Sequence, residues 1–508
     1  MQGSQRTLPR LSAVFIAVLL AGCSLSPDYT RPDAPVPGNY PGQNGATQAS
    51  AADLGWEQFF HEPRLKALIG LALENNRDMR IAVKRVDEAR AQYGITRSDQ
   101  FPQIGATAQE SAQRLPRNMR MAGPDSPSVT RNFSAGIGIT DFELDFFGKQ
   151  RNLSEAAFQS YLATVEGRKT AQINLIGQLA TAYYNLRAAQ QQKDLVAKTL
   201  KSRQATYDLV QTRFRGGVAS ALDVNQAKTS LDAARATSAE LDRSEKQAQN
   251  AMQLIIGAPL PADLPPASPF AGDVLMAKIP AGLPSDLLER RPDIIAAEHD
   301  LLAANANIGA ARAAFFPSIS LTGLIGSTSL GLSSLFDGGQ GTWSFNPVIN
   351  LPIFTAGRLR NNLELTEVRK DIAVAQYEKS IQTAFKEVAD ALAGESTYGA
   401  QLDALRDQQK SAYESLNLAD LRYKNGIDSF LQVQTAQINL FTVQQSFVQV
   451  GLGSLLNKVE LYKALGGGWS RDTVMRPNPD APVSNTAPAS NTVPATGNAT
   501  QITPTTQQ

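Results

Sequence analysis

Between residues 179 and 214 apolar side chains return every three or four positions: Leu179, Ala182, Leu186, Ala189, Val196, Leu200, Tyr207, Val210 and Phe214, with Lys193 and Arg203 in the same stripe. This is the heptad signature of a helix with one face packed against another helix. No proline interrupts residues 149–214, so the pattern predicts one helix of about 100 Å at about 1.5 Å per residue. The stripe returns 209 positions later as Val388, Ala391, Tyr398, Leu402, Leu405, Ala412, Leu416, Ala419 and Tyr423, with Glu395 and Gln409 in it. Each run ends in a glycine-containing turn, RFRGGVASALDVNQA (213–227) and RYKNGIDSFLQVQTA (422–436). A second heptad run then returns, through Ala227, Leu231, Ala234, Leu241, Ala248, Met252 and Ile255 or through Ala436, Leu440, Val443, Phe447, Val450 and Leu461. Two long antiparallel helical hairpins are expected, ~149–256 with its tip at 216–217 and ~358–465 with its tip at 425–426. The seams are diluted by alanine and polar residues, which suits helices that line a wall and leave one face wet.

A shorter period separates the hairpins. Trp343, Phe345, Pro347, Ile349, Leu351 and Ile353 alternate with Ser344, Asn346, Val348, Asn350 and Pro352. Phe133, Ala135, Ile137 and Ile139 alternate with Ser134, Gly136, Gly138 and Thr140, until the phase slips near Asp141 into Phe142, Leu144 and Phe146. Period-two alternation predicts strands at ~132–142 and ~343–353, with weaker ones at ~101–110 and ~315–326 behind two Phe-Pro pairs. The chain is thus written twice. AQYGITRSDQFPQIGATA (91–108) aligns with ANIGAARAAFFPSISLTG (306–323) at an offset of 215, and FGKQRN (147–152) with AGRLRN (356–361) at an offset of 209. The six-residue change between Pro102 and Gly148 is expected in a solvent-exposed loop, where length varies most freely. Four strands cannot close a barrel, and open edges are not tolerated in a bilayer, so several chains must contribute. Two chains would give about eight strands, nearly filled by side chains, and three about twelve with a usable lumen. A small soluble sheet on a coiled coil is the competing reading.

The N-terminus favours the membrane. Arg6 and Arg10 precede the apolar stretch Leu11 to Leu20, which is too short for a spanning helix and reads as a secretory signal over 1–22. Leu20-Ala21-Gly22-Cys23 follows at once and resembles a bacterial lipobox, with Cys23 as the lipidated first residue of the mature chain. Cys23 is the only cysteine, which excludes disulfides and cysteine-zinc sites. Ser24 stands where an aspartate would resemble an inner-membrane retention signal, so the anchor is expected in the outer membrane. Residues 23–55 read as an extended Pro/Gly/Ala/Asn-rich leader, and 475–508 as a non-globular Pro/Thr/Asn/Ala tail that cannot bury a core. Between them lie repeat 1 at 56–262 and repeat 2 at 263–474. Formal net charge is +1, and −1 without Arg6 and Arg10, so no nucleic-acid surface is implied. The two histidines, His61 and His299, form no metal-ligand spacing, and no phosphate loop or nucleophile elbow occurs. No enzyme, metal or cofactor is expected.

DLLERRPDIIAAEHDLLAANANIGAARAAFFPSISLTG (286–323) resembles the TolC-like outer-membrane factors, in the lipoprotein branch serving drug-efflux pumps. FELDFFGKQRN (142–152) and PIFTAGRLRN (352–361) are similar to the strand-to-helix junctions of that family's two repeats, and PDYTRPDAPVP (27–37) to its leader. The resemblance covers roughly residues 20–470. It implies a mostly α fold with a small β part: a homotrimer whose 12-strand β-barrel in the outer membrane continues into a long 12-helix α-barrel across the periplasm. An equatorial collar would come from segments near 260–285 and after Leu465. It further implies a passive duct, with drugs or other amphipathic small molecules delivered by an inner-membrane pump of the resistance-nodulation-division class through a periplasmic adaptor. A duct for protein secretion, of the type I kind, is the alternative.

The residues of the two turns have first a local explanation. Gly217 and Gly426 suit the left-handed cap of a helix, Gly216 and Asn425 tolerate that conformation, and Arg213, Arg215, Arg422 and Lys424 complement the helix dipole. The resemblance adds that Arg213, Gly216, Gly217, Lys424, Asn425 and Gly426 form the tip where the adaptor docks. Relatives often carry acidic residues on the helix after the second turn, whereas this chain holds Gln432 and Thr435 there. The aperture is therefore expected from Leu431, with Asp428, Gln432 and Thr435 nearby, and Asp223 stands at the equivalent of Gln432 in the first copy.

Overall fold

The computed structural model describes residues 25–41, 54–116, 127–270, 275, 279, 281–282 and 284–469. The expected signal segment 1–22, Cys23, Ser24, residues 42–53, 117–126, parts of 271–283 and those from 470 onward lie outside the described residues. The helices used below are α1 (Pro63–Asn75), α2 (Arg77–Ser98), α3 (Lys149–Arg215), α4 (Ala221–Ile256), α5 (Pro292–Ala313), α6 (Arg358–Lys424) and α7 (Phe430–Ala464). The strands are β1 (Ile104–Arg114), β2 (Val129–Leu144), β3 (Ser318–Ser329) and β4 (Gly341–Asn350).

The two long helices, α3 and α6, have 67 residues each, or about 100 Å at about 1.5 Å per residue. Both start at a left-handed glycine, Gly148 (φ 74°) and Gly357 (φ 84°), which is why the two junction motifs share that residue. Along α3 the stripe buries Leu179, Leu186, Val196, Arg203 and Val210, but Phe214 ends it exposed at the turn. Near the strands α5 lies between α3 and α6, while α2 lies on α3. Nearer the tips α7 lies against both α6 and α3.

The four strands form one antiparallel sheet in the order β1-β2-β3-β4. Ala106, Ile137, Ile325 and Trp343 share one row and therefore one face, and Ile104, Ile139, Gly323 and Phe345 share the next row on that face. The opposite face carries Thr107, Gly136, Gly326 and Thr342, then Gly105, Gly138, Leu324 and Ser344. Apolar outside and small or polar inside is the pattern of a lipid-facing barrel wall. The phase slip at Asp141 is a β-bulge between Ile139 and Phe142, with Asp141 at φ 50° and its N–H donating to Thr322 Oγ1 at 3.1 Å. The extra residue returns Phe142 and Leu144 to the apolar face opposite Leu321 and Ile319. Length variation between the repeats is not confined to a loop. Strand β2 has 16 residues where its counterpart β4 has 10.

The core sits at mid-height. Phe59 stacks on Tyr462 at 3.9 Å between ring centres, with Phe60 edge-on to the same ring, and Leu65, Leu68, Ile69, Leu179 and Tyr183 are buried. Buried Glu62 accepts from Tyr183 Oη and from the Ser268 N–H, both at 2.9 Å. Arg291, at the head of α5, pairs with Asp293 (2.6 Å) and Glu387 (2.7 Å) and donates to the Ala464 carbonyl at 2.9 Å. That single guanidinium joins α5, α6 and the end of α7. The leader segment 25–41 straps the outside of α5: Asn305 donates to the Pro27 carbonyl, and Tyr29 and Arg31 both reach Glu298. Tyr40 closes the strap by stacking on Phe385 at 5.2 Å.

Candidate functional site

Two turns lie at the end of the hairpins farthest along the helices from the sheet, and both are built the same way. Gly217 (φ 76°) and Gly426 (φ 73°) are left-handed, while Gly216 and Asn425 remain at φ −81° and −85°. The Gly217 N–H donates to the Phe214 carbonyl and the Val218 N–H to the Arg213 carbonyl, both at 2.9 Å. Gly426 and Ile427 repeat these bonds to Tyr423 and Arg422 at 3.0 and 2.9 Å. This double bond pattern is the Schellman motif, so one glycine in each turn is conformationally required and its neighbour is not.

The motif turns out one apolar side chain per copy, which the composition of the turns had not suggested. Val218 and Ile427 are 66% and 63% exposed, at positions 209 residues apart, and Phe214, Leu222, Leu418 and Leu421 are exposed around them. These apolar side chains face solvent together at one end of the molecule. Their signal in the sequence was the repeat alignment itself.

Inward of the turns, Val210, Ala227, Tyr423, Phe430 and Val433 form one buried cluster that fastens the second hairpin to the first. Arg213 lies over the Tyr423 ring at 4.7 Å, a cation–π contact between α3 and α6. Lys424 pairs with Asp420 at 2.6 Å within its own helix. Asp428, expected at the aperture, is held by Arg422: Nε and an Nη donate to its two carboxylate oxygens at 2.6 and 3.1 Å. The hydrogen bond from Arg422 keeps the Asp428 carboxyl below the usual carboxylate range. Asp223, the first-copy equivalent of Gln432, is the second half of a capping box with Ser220. Both carboxylates therefore serve the local turn.

Leu431, Gln432 and Thr435 lie exposed on the first turns of α7, with Leu431 at 52% and Thr435 Oγ1 donating back to the Leu431 carbonyl at 2.9 Å. Among the described residues nothing covers them. Among the described residues no helix is long and apolar enough to cross a membrane, and no group of His, Cys, Asp or Glu could hold a metal ion.

Known proteins match both repeats. The family described as outer membrane efflux protein matches residues 68–258 and 283–467. The probable efflux pump outer membrane protein TtgC of Pseudomonas putida is 48% identical over 469 residues, covering 91% of this chain and 96% of that protein. The solvent efflux pump outer membrane protein SrpC of Pseudomonas putida is 45% identical over 463 residues, covering 90% and 98%. Among solved structures, the open state of the Neisseria gonorrhoeae MtrE outer membrane channel superposes with a TM-score of 0.80 at 39% identity, covering 89% of this chain and all of that one.

Proposed function

Because the chain belongs to the outer membrane efflux protein family, we propose that it is the outer-membrane exit duct of a tripartite efflux system, passing drugs and other amphipathic small molecules to the outside. The observation that carries this reading is the union, in one chain, of a membrane-type sheet with two ~100 Å hairpins at about 1.5 Å per residue. Deleting the chain from a strain lacking other such ducts is expected to raise susceptibility several-fold to chemically unrelated drugs. Unchanged susceptibility would sink the reading.

The duct is a homotrimer. Within the chain β1 and β4 are both open edges, and three copies joined edge to edge give a closed wall of about twelve strands. The repeat itself supplies the joint. Phe316 stacks on Phe147 at 4.7 Å inside one chain, while Phe101, the repeat counterpart of Phe316, stands exposed for the next copy, as do Ile353 and Phe354 beyond the end of β4. An inner-membrane resistance-nodulation-division pump supplies the energy, and a periplasmic adaptor docks at the tips. Arg213, Gly216, Gly217, Lys424, Asn425 and Gly426 shape that tip, with Val218 and Ile427 as its apolar contacts.

Leu431 is the gate in this reading, since Asp428 is engaged by Arg422 and three-fold crowding of leucines closes an aperture without charge. Leu431→Ser is expected to raise single-channel conductance in planar bilayers; no increase would dismiss it as the gate. The lipid on Cys23 anchors the duct. Leu25 lies against Arg312, whose Nη donates to its carbonyl at 3.4 Å, close before β3, so the strap delivers the N-terminus to the membrane side. Fatty-acid labelling should be lost in Cys23→Ser, and retained label would refute the anchor.

A further inference from the structure

The helix that follows the second tip differs from its repeat twin in one respect that the fold does not require. Between Phe430 and Asn457, α7 contains no Asp, Glu, Lys or Arg, whereas α4 carries nine between Ala221 and Ala248. The exposed face of α4 bears a Lys228–Asp232–Arg235 ion-pair cluster, as a helix in open water commonly does.

One face of α7 is spoken for. Val433, Leu440 and Val443 are buried, Gln434 donates to Ser230, Gln437 donates to Thr206, and Phe441 lies beneath the Arg203 guanidinium at 5.4 Å. The opposite face leaves Leu431, Thr435, Ile438, Asn439, Thr442 and Gln449 exposed, all uncharged. Two acids flanking the turns are engaged locally, Asp428 by Arg422 and Asp223 by its capping box.

We propose that this neutral stripe of α7 lines the narrow periplasmic end of the duct and makes it indifferent to the sign of a solute's charge. The inference rests on the duct reading above. In a trimer each lining side chain is present three times around one axis, so a single carboxylate or ammonium there would set a strong local potential in a narrow, low-dielectric passage. Amide and hydroxyl side chains instead offer both donors and acceptors, and can solvate a cationic, anionic or neutral amphiphile alike. The substrate class that follows is amphipathic molecules of either charge, with discrimination left to the pump.

Ion selectivity in planar bilayers under a salt gradient is the test. The wild-type channel is expected to reverse close to zero potential. Asn439→Asp and Gln432→Asp, each adding a ring of carboxylates, should move the reversal toward the cation limit. Thr229→Asp, on the exposed face of α4, should leave it in place. A strongly selective wild type, or a shift produced by Thr229→Asp and by neither α7 variant, would overturn the proposal. Absence of current from all of these proteins, even when each also carries Leu431→Ser, would contradict the duct reading itself, and the inference with it.

Discussion

Gly138→Val is expected to remove the protein from the outer membrane. Gly138 faces the inside of the sheet opposite Leu324, where β2 and β3 approach so closely that a Cβ would fall well inside contact with the Gly323 carbonyl oxygen and 2.9 Å from Leu324 Cα. Backbone cannot yield as a flexible side chain can, so the strands must part or slip. Overpacking of this kind costs about 1–3 kcal/mol where neighbours can adjust, and more where they cannot. A slip by one residue would turn every apolar side chain of β2 from lipid to lumen. The neighbouring row position in β1, Gly105, meets nothing within 4 Å, so Gly105→Ala is the matched control. Trimer bands in outer-membrane fractions should vanish for Gly138→Val and persist for Gly105→Ala. Normal trimer from Gly138→Val would contradict the requirement for glycine where β2 and β3 approach.

Arg291→Leu should strongly destabilise the helical part, by about 1–3 kcal/mol, because it removes a buried guanidinium and leaves its half-buried partners behind. Burial alone would lower the affinity of Arg291 for its proton, but hydrogen bonds and charge from Asp293 and Glu387 hold it above its ordinary value. The guanidinium therefore stays charged at every accessible pH. Its loss strands Glu387, half-buried on α6, and frees the Ala464 carbonyl where α7 ends. Arg291→Leu combined with Glu387→Leu should recover part of the loss, since removing both partners is far less costly than orphaning one. Thermal unfolding of the detergent-solubilised trimer measures both. Equal destabilisation of the single and double variants would show that the pair itself contributes little.

The hairpins, the strands and the doubling of the chain were legible because each follows a short-range period. Leu186, Val196 and Val210 are buried where the heptad put them, and Ile137 and Ile325 share a sheet face as alternation required. The phase slip at Asp141 could be seen but not interpreted, because a bulge is defined by its partner strand. Phe214 shows the opposite limit: it keeps the heptad spacing yet stands exposed, since the seam ends where the chain turns. The mid-height core was beyond local reading altogether. Phe59 meets Tyr462, and Glu62 meets Ser268, across separations that no periodicity encodes. At the tip, glycine and basic residues could be read from capping rules, but the Arg422–Asp428 clasp and the outward Val218 and Ile427 required the folded turn.

Efflux of a fluorescent dye from preloaded, energised cells tests the central claim most directly, in a strain where this chain is the sole duct of its kind. With the chain present, dye should leave at the full pump-driven rate; on deletion the rate should fall to the background of unenergised cells, and wild-type protein should restore it while Gly138→Val does not. Equal rates with and without the chain would contradict its role as the exit duct.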